Sequence, residues 1–81
     1  MRVRVLAFAR LRELLGGAAH ELELAEPATV ADVWNALSTR HADIGALAAS
    51  TRIARNGRVV GGAEAVGEGD ELALLPPVGG G

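Results

Sequence analysis

The stretch TVADVWNALSTRH, residues 29–41, decides the architecture. Its apolar residues Val30, Val33, Trp34 and Leu37 stand at i, i+3, i+4 and i+7, one face of a helix with a period of about 3.6 residues. Thr29 followed three residues later by Asp32 is a capping-box pattern, in which hydroxyl and carboxylate each accept a backbone N–H at the opening turn. The helix therefore starts at residue 29 or 30, and all four apolar residues, Trp34 included, are expected in the core.

Upstream, RVRVLAFA alternates as a strand does, with Val3, Val5 and Ala7 on one face and Arg2, Arg4, Leu6 and Phe8 on the other. RLRELLGG follows, good helix formers stopped by Gly16 and Gly17, and reads as a short helical turn. HELELAE alternates again and pairs with the first strand as a hairpin, ended by Pro27. Downstream of the helix, residues 42–50 are small and weakly amphipathic, enough for one helical turn through Ile44 and Leu47. TRIARNGRVVGG carries Asn56-Gly57, the pair that best tolerates the positive φ angles of a tight hairpin. GEGDELALLPP turns at residues 67–69 and runs as a strand over 71–75 until Pro76 and Pro77 halt it. The order strand, strand, helix, strand, strand, strand is an α+β arrangement of the β-grasp kind. It predicts a four- to five-stranded mixed sheet with one main helix on one face and the first and last strands side by side at the centre.

With 81 residues the chain has room for one domain, 1–75, followed by a flexible tail, 76–81. Phe8 and Trp34 are the only aromatics, so the core must be aliphatic. Without cysteine there are no disulfides, thiolate metal sites or cysteine nucleophiles. A net charge of −2 argues against a general nucleic-acid binder, and no apolar run is long enough for a membrane span. A cytoplasmic location is expected. All eight basic residues are arginine, a usage that fits a GC-rich genome and leaves no side chain to accept an isopeptide bond. His20 and His41 read as separate surface histidines, and no metal set, bound cofactor or catalytic side chain is evident.

The end of the chain, PPVGGG, is a stiff two-proline spacer followed by three residues without side chains. That is a peptide shape able to enter a narrow tunnel in another protein. Together with LAFARLRELLG at the front, RNG in the hairpin and GDELALLPPVGGG at the end, it makes the chain resemble the small, sulfur-carrying subunit of molybdopterin synthase, a ubiquitin-like β-grasp family, over essentially its whole length. Ala7 and Leu74-Leu75 depart from the aromatic residues usual there and thin the aromatic interface.

The resemblance implies that a separate activating enzyme uses ATP to adenylate the Gly81 carboxylate. A sulfur donor protein then converts it to a thiocarboxylate, which a large catalytic subunit uses to sulfurate a pterin precursor. It implies a heterotetramer of two small and two large subunits, with Gly79 and Gly80 leading Gly81 into the partner. Leu6, Phe8, Leu75, Pro76, Pro77 and Val78 would form the docking surface, and Arg10 and Arg12 would be either solvated or in contact with the partner. In that reading the chain is a protein cosubstrate with no catalytic side chains of its own. The alternatives are a carrier serving thiazole, cysteine or transfer-RNA thiolation, a ubiquitin-like modifier joined to lysines of other proteins, and a passive β-grasp interaction domain.

Overall fold

The computed structural model describes residues 1–77; the tail residues Val78, Gly79, Gly80 and Gly81 lie outside the described residues. The chain forms β1 (Arg2–Ala7), α1 (Ala9–Leu15), β2 (Ala19–Glu23), β3 (Ala28–Thr29) and α2 (Val30–Arg40). A 3₁₀ segment (Ala42–Ser50) follows, then β4 (Arg52–Arg55), β5 (Arg58–Val60), β6 (Ala65–Val66) and β7 (Glu71–Leu75). Five strands make one mixed sheet in the order β2-β1-β7-β4-β5, with β1 and β7 parallel at its centre and the other pairs antiparallel. The β-grasp expected from the element order, ubiquitin-like as the resemblance implies, is the fold observed.

Local chemistry sets the boundaries. The Thr29 amide donates to Asp32 Oδ2 at 2.8 Å and the Asp32 amide to Thr29 Oγ1 at 3.3 Å, so both halves of the capping box form. Gly16, at φ +78, ends α1 in the left-handed region, and the amides of Gly16 and Gly17 both donate to the Arg12 carbonyl at 3.1 Å. Between β4 and β5, Asn56 (φ +48) and Gly57 (φ +90) make the expected two-residue hairpin. The stretch read as a helical turn is a seven-residue helix inserted between β1 and β2, and the weak stretch after α2 is a nine-residue 3₁₀ segment anchored by fully buried Ile44.

Two strands were not anticipated. β3 and β6 pair Ala28 with Val66 and Thr29 with Ala65, two residues each, too short to show any periodicity. Next to them the amides of Val30 and Ala31 donate to the carbonyls of Glu64 and Gly62, both at 2.9 Å. Those are two of the amides that an α-helix leaves without intrahelical partners, so the loop ahead of β7 completes the start of α2.

The core lies between α2 and the sheet: Val3, Val5, Leu22, Leu72 and Leu74 from the strands, Val30, Val33 and Leu37 from α2, and Leu11 and Leu15 from α1. Trp34 is a correction to the sequence reading. It is half-buried and lines a groove of about 370 Å³ beside Ile53, Val60, Gly61 and Gly62. Position 34 lines the same groove as Val59 and Val60 of β5, a strand of only three residues followed by two glycines, and the ring is covered on part of its surface only.

Asp70 is the one buried charged residue among those described. Its carboxylate accepts from Arg55 Nε at 2.7 Å, from the Gly67 amide at 2.7 Å and from Asn56 Nδ2 at 3.0 Å. Arg55 also reaches Glu64 at 3.1 Å, while Asn56 Oδ1 accepts the Glu71 amide at 3.0 Å. The cluster ties the β4–β5 hairpin to the turn before β7. Burial by itself would push the Asp70 carboxyl up, but the Arg55, Gly67 and Asn56 hydrogen bonds and the Arg55 charge together hold it below the ordinary carboxylate value.

A carboxyl depressed in the folded state stabilises the protein above its unfolded value of about 3.9, and that stability is lost as pH falls through the folded value. Asp70→Asn is expected to cost about 2–3 kcal/mol at pH 7, because it removes the charge paired with Arg55 and leaves one acceptor oxygen for the three donors from Arg55, Gly67 and Asn56. In urea titrations the gap between wild type and variant should narrow as pH falls below about 4; a constant gap would contradict the role given to this carboxylate. Leu37→Ala should cost about 3 kcal/mol and Trp34→Ala only about 1–2 kcal/mol, since the indole is already half in solvent. Equal losses would return Trp34 to the core.

Candidate functional site at the root of the tail

Because β7 runs parallel to β1 beside it, the last strand leaves the sheet where the first one ends. Alternation decides what lies there. In β1 and β7 the buried residues are Val3, Val5, Ala7, Leu72 and Leu74, so Leu6 and Leu75, both half-buried, are on the sheet face away from α2. The parity read from sequence holds at each of these positions.

The register zones that open face. Leu6 pairs with Ala19 on one side and Ala73 on the other, Ala73 with Ala54, and Ala54 with Val59. One uncharged row therefore crosses all five strands, ending at Val59, which is 53% exposed. On the tail side the next pair is Leu75 with Arg52. Away from the tail the rows are charged: Arg4 lies between Glu21 and Glu71, and Arg2 pairs with Glu23, its Nε 3.2 Å from the carboxylate. Ala54, Ala73 and Val59 were not read as part of the site, because only cross-strand register brings them into line with Leu6.

Phe8 lies one residue beyond β1, 43% exposed. It lines a groove of about 330 Å³ with Leu11, Leu47, Pro76 and Pro77. The structure thus sets two surfaces at the tail root, the open-face row with Leu6 and Leu75 and the groove with Phe8 and the two prolines. Arg10 lines the same groove and pairs with Glu13 at 3.3 Å; Arg12 makes no ion pair among the described residues. The expected positions Val78, Gly79, Gly80 and Gly81 fall outside the described residues.

The two histidines are not isolated. Their ring centroids are 6.4 Å apart in an edge-on arrangement, with His20 Nε2 3.0 Å from the Gly17 carbonyl oxygen. Among the described residues no group of three or more His, Asp or Glu side chains is placed to hold a metal ion, and no helix is long and apolar enough to cross a membrane. The surface at the tail root is made of aliphatic side chains, prolines, one phenylalanine and arginines, a composition suited to gripping another protein.

Comparison with known proteins agrees with that geometry. The family model described as ThiS family matches residues 5–81, nearly the full length and the glycine end included. The chain belongs to the ThiS family. Its members here are ubiquitin-like sulfur carriers and modifiers. Small archaeal modifier protein 1 of Haloferax volcanii is 38% identical, the match covering 91% of this chain and 94% of that one. The structure of a putative molybdopterin converting factor, subunit 1, from Pyrococcus furiosus superposes with a TM-score of 0.89 at 35% identity, covering 96% of this chain and 99% of that one. A chain of the BexX/CysO complex of Amycolatopsis orientalis gives 0.74 at 32%, covering 98% and 99%. That ThiS-family relative is seen bound to a partner protein.

Adjacent leucines separate the two faces of the last strand. Leu74→Asp puts a charge into the core and is expected to leave the domain unfolded at 25 °C, a loss of more than about 4 kcal/mol. Leu75→Asp should cost about 1 kcal/mol and keep the native fold. Circular dichroism and urea melts of the two variants decide the assignment, and matching losses would overturn it.

Proposed function

We propose that this ThiS-family chain is the sulfur-donating small subunit of a molybdopterin synthase, carrying sulfur as a thiocarboxylate on Gly81. The observation that carries the reading is the convergence of one uncharged row of the open sheet face and one groove lined by Phe8 on the end of the strand that leads into the tail. The 35% identity to a putative molybdopterin converting factor subunit supports the pterin branch.

Chemically, the Gly81 carboxylate attacks the α-phosphorus of ATP in the active site of an activating enzyme, expelling pyrophosphate and forming an acyl-adenylate. The outer sulfur of a persulfide on a donor protein attacks the acyl carbon and AMP leaves; a thiol then attacks the inner sulfur of the resulting acyl disulfide, forming a disulfide with the donor cysteine and releasing the thiocarboxylate. Docked on the large subunit, that soft anion attacks an electrophilic carbon of the pterin precursor and displaces the oxygen substituent there, and hydrolysis of the resulting thioester leaves sulfur on the pterin and restores the carboxylate. A dithiolene takes two sulfurs, so each product consumes two charged carriers. This chain supplies recognition and reach, and its partners supply the ATP site and the acid–base groups.

A second reading has its own support in the 38% identity to a small archaeal modifier protein. It shares the acyl-adenylate and differs in the nucleophile, a lysine amine of a target protein in place of sulfur. Intact mass spectrometry after incubation with an activating enzyme, ATP and a sulfur donor separates the two. A gain of about 16 Da on this chain is expected, one carboxylate oxygen replaced by sulfur. High-mass conjugates without that gain would favour the modifier, and no change would contradict both.

Removing Gly80 and Gly81 should abolish the gain while shifting Tm by no more than about 2 °C. Phe8→Asp should weaken binding to the large subunit more than about tenfold, or about 1.4 kcal/mol, with the isolated domain still folded. Normal binding by that variant would place the docking face elsewhere.

A further inference from the structure

Two residues other than glycine take a left-handed backbone among those described, Asn56 at φ +48 and Ala9 at φ +51. Asn56 is the first central residue of a two-residue hairpin, a position that calls for positive φ and favours asparagine. Ala9 has no such account. Its Cβ makes the left-handed region unfavourable, whereas glycine would sit there at ease. Strain of this kind persists only where the surroundings over-determine it, and it gathers at binding sites.

The surroundings of Ala9 are fixed on both sides. Ala7, 1% exposed, pairs with Leu74 and donates its amide to the Ala18 carbonyl at 2.8 Å. Leu11, 3% exposed, is held in the core, and the Arg12 amide donates to the Phe8 carbonyl at 3.3 Å. The chain must turn from strand to helix between two buried anchors, with only three residues between them. Phe8 stays extended (φ −131, ψ 158), so the left-handed step at Ala9 makes the corner. The corner leaves Phe8 outside the core, in the groove that it shares with Pro76 and Pro77. Ala9 lines that groove and also the neighbouring one formed with Arg12, Glu13, Gly16 and Gly17, and so forms the ridge between them.

We propose that Ala9 is a positioning residue: its left-handed corner, narrowed by the methyl group, presets Phe8 against Pro76 and Pro77, so that a protein receiving the tail meets a preformed aromatic ledge. The partner half of this inference rests on the carrier reading above. Glycine at position 9 would reach the same φ without strain but also several others, and Phe8 would no longer be held to one place. Preorganisation of this sort acts on affinity by reducing the ordering left to be done at binding.

Phe8 is the only phenylalanine, so selective ring labelling gives a single set of NMR signals. In the wild-type chain its ring protons are expected to show nuclear Overhauser contacts to Pro76 and Pro77. In Ala9→Gly those contacts should weaken while Tm stays within about 3 °C, because relief of strain offsets the greater freedom of the unfolded chain. In ATP–pyrophosphate exchange catalysed by the activating enzyme of the same organism, the variant should raise KM for this protein about three- to tenfold with kcat unchanged. D-alanine at position 9, introduced by chemical synthesis, favours positive φ and keeps a methyl group, so it should restore both contacts and KM.

Contacts and KM unchanged in Ala9→Gly would overturn the proposal, as would failure of D-alanine to restore them. A large fall in Tm would reduce Ala9 to a structural residue and equally overturn it. If the wild-type chain itself supports no exchange, the carrier reading fails and the partner half with it, whereas the Overhauser comparison still judges the corner by itself.

Discussion

The parallel pairing of β1 with β7 is the constraint on which the rest of the molecule depends. Arg4 against Glu71 through Ala7 against Leu74 is a register of four residue pairs joining the two ends of the chain. It puts Val3, Val5, Leu72 and Leu74 under α2 as one continuous aliphatic floor, each no more than 1% exposed. It also turns the chain end toward the same edge as Phe8 and α1. A one-residue slip would reverse both consequences together, moving the leucines of β7 to solvent and the charged rows to the helix.

Pairing of chain ends closes a long loop, and such closure needs support from contacts that are distant in sequence. The Asp70 cluster supplies part of it. Asp70 is linked through Arg55 and Asn56 to the β4–β5 hairpin, and its carbonyl accepts the Arg4 amide at 2.9 Å on β1. The residue before β7 therefore touches both strands that flank β7. In a core with no buried aromatic ring and little apolar area per residue, a satisfied polar anchor of this type also specifies which edge of β7 faces which neighbour.

The division of labour within the ThiS-family fold follows from the same register. One sheet face and α2 make the stable body; the other face carries one uncharged row across all five strands, with Leu75 and Arg52 on its tail side and the Arg4 and Arg2 rows of ion pairs on the other. The residues nearest the tail exit offer shape and apolar surface, and the described part of the chain supplies no cluster of acid, base or metal-binding groups there. In the function proposed above, recognition is built into the domain and the chemistry is assigned to the terminal glycine.

The sequence by itself determined the main helix, the hairpin turn and the faces of the first and last strands. The capping box at Thr29 and Asp32, the Asn56-Gly57 turn and the alternation in residues 2–7 and 71–75 act between near neighbours, so the chemistry that forms them is written within a few residues. The two prolines and the glycine end, the basis of the proposed site, are likewise written in residue type alone. Only the tertiary structure decided matters that depend on which distant segments meet. Trp34 lies in the apolar stripe of α2 but half outside the core, in a groove that it shares with a three-residue strand and the two glycines after it. Asp70 reads as one more surface acid until Arg55, Asn56 and Gly67 surround it. Ala54, Ala73 and Val59 join Leu6 in a row through cross-strand register, and the left-handed corner at Ala9 is made where the chain turns from strand to helix between buried Ala7 and Leu11. Each of these is set by packing across more than ten residues or by anchors on both sides of a short link, and no periodicity along the chain records it.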